Sequence, residues 1–401
     1  MIKLAWKNIW RNKIRSSIIL GAIAIGLFSG TYLAAFLNGW MYGTVQSDID
    51  ADLSYIQIHD TAFLANCDIE RYFLRSDVAG IENAEISQRL CLQGMLSSAN
   101  NAIGIMAKAV NPQDEMKASK LWRNIPDSLG TFLNAEIRNP IVLSRKAAEK
   151  LKVKLKSKIV FSFQNRNGEM QSVAFRVCGI FSTSNTLFDE STVFVHYDDI
   201  FALTALPENA VNEVAVSVSD IKTGDEITPK IKEMYPKLSV QSWREINPTL
   251  AMSLAWTDIF CVVILGIFLF ALSFGIINTM LMAVLERTGE LGMLKAIGMN
   301  NKRIFLMIML ETLFLTVLGS IIGVILAVAI LVPSLKSGVD LTFMMGNSFE
   351  DYGFSSVVYP ILEIKTFIQI SILVFVAGIL SAIYPAIKAL KIDIIKAIKN
   401  Q

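Results

Sequence analysis

Long apolar runs separated by polar stretches dominate the pattern of this chain. Four runs reach the length of about 20 residues that an α-helix needs to cross the hydrocarbon core of a bilayer. They cover residues 16–39, 256–285, 304–332 and 366–390. No small-x-small cleavage pattern follows the first run, at Asn38–Tyr42, so we expect a retained span rather than a signal peptide. The pattern predicts four transmembrane helices.

The region between the first two runs, residues 40–255, has the alternation of a folded water-soluble domain. Segments rich in β-branched and aromatic residues predict strands, at Leu53–His59, Gly104–Val110, Lys158–Gln164, Val173–Phe181, Thr192–His196 and Glu213–Val218. Asn165–Gly168 is typical of a hairpin turn. Helices are predicted at Arg145–Leu151, which Ser144 would cap, at Asp198–Leu203 and at Asp225–Tyr235. The predicted fold class is an integral membrane α-helical protein with a large mixed α/β extracytoplasmic domain inserted between spans one and two.

Lysine and arginine placement next to the spans predicts the orientation. Residues 1–15 carry five basic residues and no acid, and residues 286–303 and 391–401 are also basic. We therefore expect both termini in the cytoplasm. The predicted organisation is a cytoplasmic interfacial helix (1–15), transmembrane helix 1 (16–39), an outer domain (40–255), transmembrane helix 2 (256–285), a cytoplasmic helix (286–303), transmembrane helix 3 (304–332), a short outer loop (333–365), transmembrane helix 4 (366–390) and a cytoplasmic tail (391–401).

The cytoplasmic segment 286–303 is charged and prone to form a helix, although it lies between two apolar runs. It cannot lie in hydrocarbon, since each ionised side chain there costs roughly 2.5–3.5 kcal/mol on the insertion scale. Leu291, Leu294 and Ile297 form one apolar stripe at helical spacing. We predict a short amphipathic helix that protrudes from the membrane and continues rigidly into its two neighbouring spans.

The N-terminal segment also reads as an amphipathic helix. Trp6 and Trp10 lie one turn apart among basic residues, as in helices of the headgroup layer. Two interpretations stay open, a simple basic anchor and an elbow helix that touches a partner.

Polar and small residues within the spans are candidates for a structural role. Gly26 and Gly30, and likewise Gly319 and Gly323, form GxxxG patterns that allow helices to approach closely, although glycine is common in spans. Glu311 is an intramembrane carboxylate, which is a functional or pairing site by default. The alternative is a residue near the membrane surface neutralised by Lys302 or Arg303.

Sequence motifs of catalysis are absent. The chain has no GxxxxGK[ST], HExxH or GxSxG motif, so we predict no catalytic residue, no metal site and no cofactor of its own. The composition, 53% hydrophobic and 18% charged with a net charge of +2, is that of a membrane protein and gives no basic stripe for nucleic acid. Four scattered cysteines allow a Cys67–Cys91 disulfide or free thiols.

Residues 278–298 resemble the signature of ABC transporter permeases of the FtsX, MacB and LolC/LolE type. Trp6–Lys13 and Tyr384–Ala386 are similar to the opening and closing motifs of those permeases. The resemblance implies a coupling helix that docks in a separate ATPase dimer, which binds the ATP. It further implies polar docking contacts from Glu286, Arg287 and Glu290, apolar contacts from Leu291, Leu294 and Ile297, and close approach or helix termination at Gly292 and Gly298.

The layout, without a fused ATPase, most resembles the lipoprotein-releasing LolC/LolE branch. The resemblance then implies mechanotransmission in a bacterial inner membrane, together with a second permease copy or a sister subunit. A lipoprotein or another hydrophobic molecule would be the cargo. Three alternatives remain: a regulator of a cell-wall hydrolase, a peptide or antibiotic exporter, and a membrane-anchored sensor without an ATPase.

Overall fold

The computed structural model describes residues 2–63, 68–78, 80–134, 136–183, 185–342 and 357–391. These residues form two compact units. The membrane unit contains residues 2–42, 253–340 and 357–391, and the soluble domain is built mainly from residues 43–252.

The helices are α1 (Ile2–Arg11), α2 (Lys13–Asp48), α3 (Pro112–Ala118), α4 (Arg145–Leu151), α5 (Thr186–Ser191), α6 (Tyr197–Phe201), α7 (Ile221–Met234), α8 (Trp243–Ile246), α9 (Pro248–Glu286), α10 (Thr288–Ala296), α11 (Asn301–Ser337) and α12 (Ile364–Leu390). The strands are β1 (Ile56–His59), β2 (Phe73–Leu74), β3 (Glu85–Ser97), β4 (Ala102–Val110), β5 (Pro140–Ser144), β6 (Lys158–Gln164), β7 (Met170–Phe181), β8 (Thr192–His196), β9 (Ala210–Val211), β10 (Glu213–Ser217), β11 (Ser239–Ser242), β12 (Val339–Asp340) and β13 (Val357–Val358).

Four of the described helices, α2, α9, α11 and α12, are long and apolar enough to cross a membrane. Together with the α/β domain between the first two of them, they confirm the predicted fold class. Three of these helices extend well beyond the predicted spans, since α2 continues to Asp48, α9 begins at Pro248 and α11 ends at Ser337. Backbone hydrogen bonding continues through polar residues, whereas the hydropathy pattern marks only the apolar part of each helix.

The segment after α9 departs from its prediction. We expected a helix rigidly continuous with two spans, but the helical conformation is interrupted on both sides of α10. Arg287 has φ −105° and ψ 18°, and Gly298 has φ +96°, in the left-handed region that favours glycine. The prediction of rigid continuity is therefore wrong, and α10 is a separate short helix with a bend at each end.

The soluble domain contains a closed ring of strands in the order β3, β4, β8, β5, β7 and β6, where β6 pairs again with β3. The first half of β3 pairs instead with β10, which continues through β1 to β11. The ring closes where β3 pairs with β6, beginning at Gly94. A Cβ atom on Gly94 would lie 2.4 Å from the Ser162 carbonyl oxygen. Only glycine allows the two strands to approach this closely.

Several local predictions for this domain are confirmed. Asn165–Gly168 is the turn between β6 and β7, with Gly168 at φ +81°. The Ser144 hydroxyl accepts a 3.0 Å hydrogen bond from the Ala147 amide and so caps α4, as predicted.

The cysteines are described only in part. Cys91 and Cys178 are free, buried thiols, and burial raises the pKa of both. Cys67, the predicted alternative partner of Cys91, lies outside the described residues, as do residues 343–356 of the outer loop and the tail after Lys391.

Ionic side chains lie inside the soluble domain, and we call Asp52, Arg89, Lys108, Glu115 and Glu213 the buried charge cluster. Arg89 is fully buried and donates to both carboxylate oxygens of Glu115, at 2.7 and 2.8 Å, and to Glu213 at 2.7 Å. Lys108 binds Asp52 at 2.5 Å and Glu213 at 3.2 Å. Asp52 belongs to the π-helical turn Ile49–Leu53 that ends α2, so the cluster fixes this turn to the sheet.

Candidate functional site

The short helix α10 lies against the membrane unit with one face and leaves another face free. Leu291 is 5% exposed and packs in the apolar core of the membrane unit, and Leu294 is partly buried against the same core. Ile297 is 84% exposed and Met293 is 50% exposed. The predicted stripe is therefore divided, since Leu291 faces the bundle and does not present a docking side chain, whereas Met293 and Ile297 point outward.

Side chains hold α10 and its flanking residues to the rest of the bundle, and we call this set the α10 clamp. Its ties lead to α1 through Arg11 and Glu290 at 2.6 Å, to α2 through Arg15 and Glu286, to α11 through Arg287 and Glu311 at 3.2 Å, and to α12 through the Lys295 ammonium and the Leu390 carbonyl at 2.6 Å. Among the helices that the structure describes in the membrane unit, α1, α2, α11 and α12 are thus bound to α10 or its flanks.

Glu290 illustrates how the clamp uses charge. The hydrogen bond from Arg11 lowers the pKa of the Glu290 carboxyl, and nearby Arg287 adds to the effect at 3.4 Å. The carboxylate that was predicted to meet a partner is therefore already engaged within the chain.

Glu311 is resolved as a paired residue. It is 8% exposed and accepts from the Asn8 amide at 2.5 Å and from Arg287 at 3.2 Å. The suggested neutralisation by Lys302 or Arg303 is wrong, because its cationic partner comes from the bend before α10.

The N-terminal helix is part of the bundle. Ile9 is 3% exposed, and the Trp6 ring meets Phe314 of α11 edge to face at 5.5 Å. Sequence reasoning missed Asn8 and Arg11 as site residues. Their spacing of three positions places them on one face of the helix, which is the signal that was present.

Both GxxxG patterns lie at helix contacts. A Cβ atom on Gly319 would lie 2.9 Å from the Ile23 Cβ of α2, and one on Gly323 would lie 2.9 Å from the Leu27 Cβ. Gly26 and Gly30 have looser contacts with α9, at 3.2 and 3.0 Å to leucine methyl groups. Helix α11 thus packs its backbone closely against side chains of α2, and these two helices carry Glu311 and Arg15 of the α10 clamp.

A groove of about 520 Å³ lies between α2, α9 and α12. Its wall is mainly apolar, with Leu33, Phe268 and Leu373, and Asn38 and Gln369 add polar groups. The groove has the size and mixed lining of a site for a small or chain-like molecule.

The comparisons with known proteins show what this chain is similar to. Residues 262–394 match the family model described as FtsX-like permease C-terminal, so the chain carries an FtsX-like permease domain. An uncharacterized ABC transporter permease of Methanocaldococcus jannaschii is 24% identical over 57% of this chain and 55% of that protein. The macrolide export ATP-binding/permease protein MacB of Bdellovibrio bacteriovorus is 30% identical over 40% of this chain and 21% of its own length.

The ABC transporter permease YtrF of Bacillus subtilis is 32% identical over 32% of this chain and 29% of that protein. The chain thus spans about half, or less, of the length of these relatives, and it is homologous to ABC transporter permeases of this type. Among solved structures, the periplasmic region of MacB from Actinobacillus actinomycetemcomitans aligns over 52% of this chain and 97% of that one, at 13% identity and a TM-score of 0.34.

Proposed function

We propose that this chain is the permease subunit of an ABC transporter and that α10 receives ATP-driven motion from a separate ATPase dimer. The proposal rests on a short helix whose backbone is interrupted at Arg287 and at Gly298, so that it is not continuous with α9 or α11. Side chains of α10 and its flanking residues nevertheless bind it to α1, α2, α11 and α12.

The exposed face and the clamped face of α10 would have different roles. Met293 of α10 and Ile297 directly after it would fill the apolar groove of the ATPase, because both side chains are exposed and point away from the bundle. Glu290 and Arg287, in contrast, would pass the movement to Arg11 and Glu311 within the chain. The bends at both ends would let α10 turn as a unit while the ion pairs transmit its displacement.

The remaining partners follow from the same proposal. ATP would be bound by the ATPase, and a second permease copy or a sister permease would complete the transporter. The positive charge of segments 1–15 and 286–303 supports a cytoplasmic location for both segments. We propose a bacterial inner membrane as the location of the chain.

For the cargo we propose a lipoprotein, released from the outer face of the membrane. The apolar groove between α2, α9 and α12 supports this, since its lining suits an acyl chain and its polar groups suit the backbone next to that chain. The second candidate is export of a macrolide-like or peptide molecule, which the similarity to MacB favours.

Photo-crosslinking from α10 tests the proposed role directly. A photoreactive amino acid in place of Ile297 should capture a P-loop ATPase in native membranes, and the yield should change with ATP. The matched control is Leu187, which is 79% exposed on the soluble domain and should capture none. Absence of any nucleotide-hydrolysing protein at Ile297, or equal capture at both positions, would refute the proposal.

A further inference from the structure

The positive charge of the soluble domain is concentrated in one part of the sequence. Residues 138–158 contain eight lysines and arginines and one acid, a net charge of +7, whereas the whole chain carries only +2. A charged surface is usually solvated and needs no ligand. The arrangement of the cations at the two ends of this segment, however, is more specific than a solvated surface requires.

Three cations of this segment, Arg138, Lys156 and Lys158, line one depression of about 680 Å³ together with Arg176 of β7, and we call this depression the basic pocket. None of them forms a salt bridge with any residue that the structure describes. The single acid at its rim is Glu136. The pocket lies wholly within the soluble domain.

Two of these cations lie directly opposite each other on adjacent strands. Lys158 of β6 and Arg176 of β7 are directly paired in the antiparallel register, and like charges at such positions destabilise a sheet. An acidic residue at either position would have been favourable for the free protein. The repulsion is typical of a site where stability is given up for binding.

The walls of the pocket are fixed by the backbone. The Arg176 amide donates to the Asn139 carbonyl at 2.9 Å, and the Asn139 side chain donates to the Ala174 carbonyl at 3.1 Å. The Lys156 amide likewise donates to Val177 at 2.9 Å. The cations thus project from a framework that exists before any ligand arrives.

We propose that the basic pocket binds a phosphate-bearing anion. A phosphate group offers several strong acceptor oxygens, which match the donor fork of an arginine and the point charge of a lysine. The volume of the pocket lies in the range of small-ligand sites, and its concave form suits a compact headgroup better than the flat face of an acidic protein. The site is independent of the proposed transport function, because none of its residues belongs to the α10 clamp.

The test uses the full-length protein in nanodiscs of zwitterionic lipid, titrated by calorimetry with inorganic pyrophosphate and, separately, with glycerophosphoglycerol. Saturable binding of either probe is expected, and the tighter probe distinguishes free phosphate compounds from a lipid headgroup. The double variant Lys158→Gln/Arg176→Gln should bind at least tenfold more weakly. Lys230→Gln removes an exposed charge from α7, at the other end of the strand order, and should change the affinity less than twofold.

The thermal unfolding midpoint separates lost binding from lost folding. Lys158→Gln relieves the cross-strand repulsion and should raise the midpoint without ligand, and Arg138→Gln offers a second variant outside the strands. No saturable binding of either probe, or unchanged affinity in the double variant, would overturn the proposal. So would tighter, variant-sensitive binding of polyglutamate, which would indicate an acidic protein partner.

Discussion

The buried charge cluster of the soluble domain and the α10 clamp of the membrane unit are built from the same types of charged residue, but they differ in how deeply their ion pairs are buried. In the cluster, the Arg89 and Glu115 side chains are fully buried and joined by two parallel hydrogen bonds. In the clamp, the Arg11 and Glu290 side chains are 52% and 44% exposed. Arg287 and Glu311, at 17% and 10%, are intermediate.

This difference in burial determines how readily each set of ion pairs can break. An exposed pair contributes about 0–1 kcal/mol, so it can be broken and remade at little cost. Removing one member of a buried pair costs about 3–5 kcal/mol, because a charge is left without compensation. The cluster therefore holds the turn after α2 rigidly to the sheet, whereas the ion pairs of the clamp are suited to a helix that moves.

The electrostatics of the cluster agree with this description. Burial opposes ionisation of Glu115, but the Arg89 guanidinium outweighs it and lowers the pKa of that carboxyl. Burial likewise opposes ionisation of Glu213, and Lys108 together with Arg89 lowers its pKa despite this. The cluster stays fully ionised near neutral pH.

The largest effect should come from Arg89→Met, which leaves Glu115 buried without its cation and Glu213 with Lys108 alone. We expect a loss of about 3–5 kcal/mol in the free energy of unfolding. Urea unfolding of the full-length protein in detergent measures it. Arg11→Met is the matched control and should cost less than about 1 kcal/mol. Equal losses in the two variants would contradict the distinction between the buried charge cluster and the α10 clamp.

A pH effect of similar or smaller size should come from Asp189, which is fully buried in α5. Burial raises the pKa of its carboxyl to about 6 from the ordinary value of 3.8, against hydrogen bonds from Thr183. Since the folded state holds this proton more tightly, Asp189 makes the protein more stable as the pH falls from about 6 to about 4. The gain is on the order of 2–3 kcal/mol, at about 1.4 kcal/mol per pKa unit.

Asp189→Asn should therefore reduce the dependence of the unfolding free energy on pH between about 4 and 6. The paired carboxyls Glu115 and Glu213 have lowered pKa values and act in the opposite sense, so their contribution is lost only as the pH falls below about 4. An unchanged slope in Asp189→Asn would show that another group titrates there.

The intermediate pair of the clamp should show a coupled effect. Arg287→Met leaves Glu311 without its cation in an apolar helix and should cost about 2–3 kcal/mol of stability. The double variant Arg287→Met/Glu311→Met should recover at least half of that loss. A double-mutant cycle of unfolding free energies should give a coupling of about 1–3 kcal/mol. Simple additivity would mean that the pair is not an energetic unit.

The smallest predicted effect concerns packing rather than charge. Gly319→Ala places a methyl group 2.9 Å from the Ile23 Cβ and should cost about 1–3 kcal/mol through overpacking. Gly266→Ala meets nothing within 4 Å and should be neutral or slightly stabilising. Thermal unfolding midpoints of the two variants in detergent provide the measurement. Equal midpoints would contradict a close α2–α11 contact.

The sequence predicted elements that depend on local patterns and missed what depends on long-range contacts. The four spans, the Asn165–Gly168 turn and the Ser144 cap follow from hydropathy and short-range hydrogen bonding. Arg11, which pairs with Glu290, and Asn8, which donates to Glu311, lie about 280 and 300 positions away from these carboxylates, and no local pattern encodes such contacts. The bend at Arg287 was missed although Thr288 and Gly289, which directly follow it, have low helix propensity.

A charge swap between α1 and α10 tests the central claim most directly. The sequence alone suggested that Glu290 binds the ATPase, whereas the structure pairs it with Arg11. The account predicts that Arg11→Glu and Glu290→Arg each lower the ATPase activity of the purified transporter, and that the double variant Arg11→Glu/Glu290→Arg restores most of it. A double variant as impaired as the Glu290→Arg single variant would contradict the account, because Glu290 would then act on the ATPase itself.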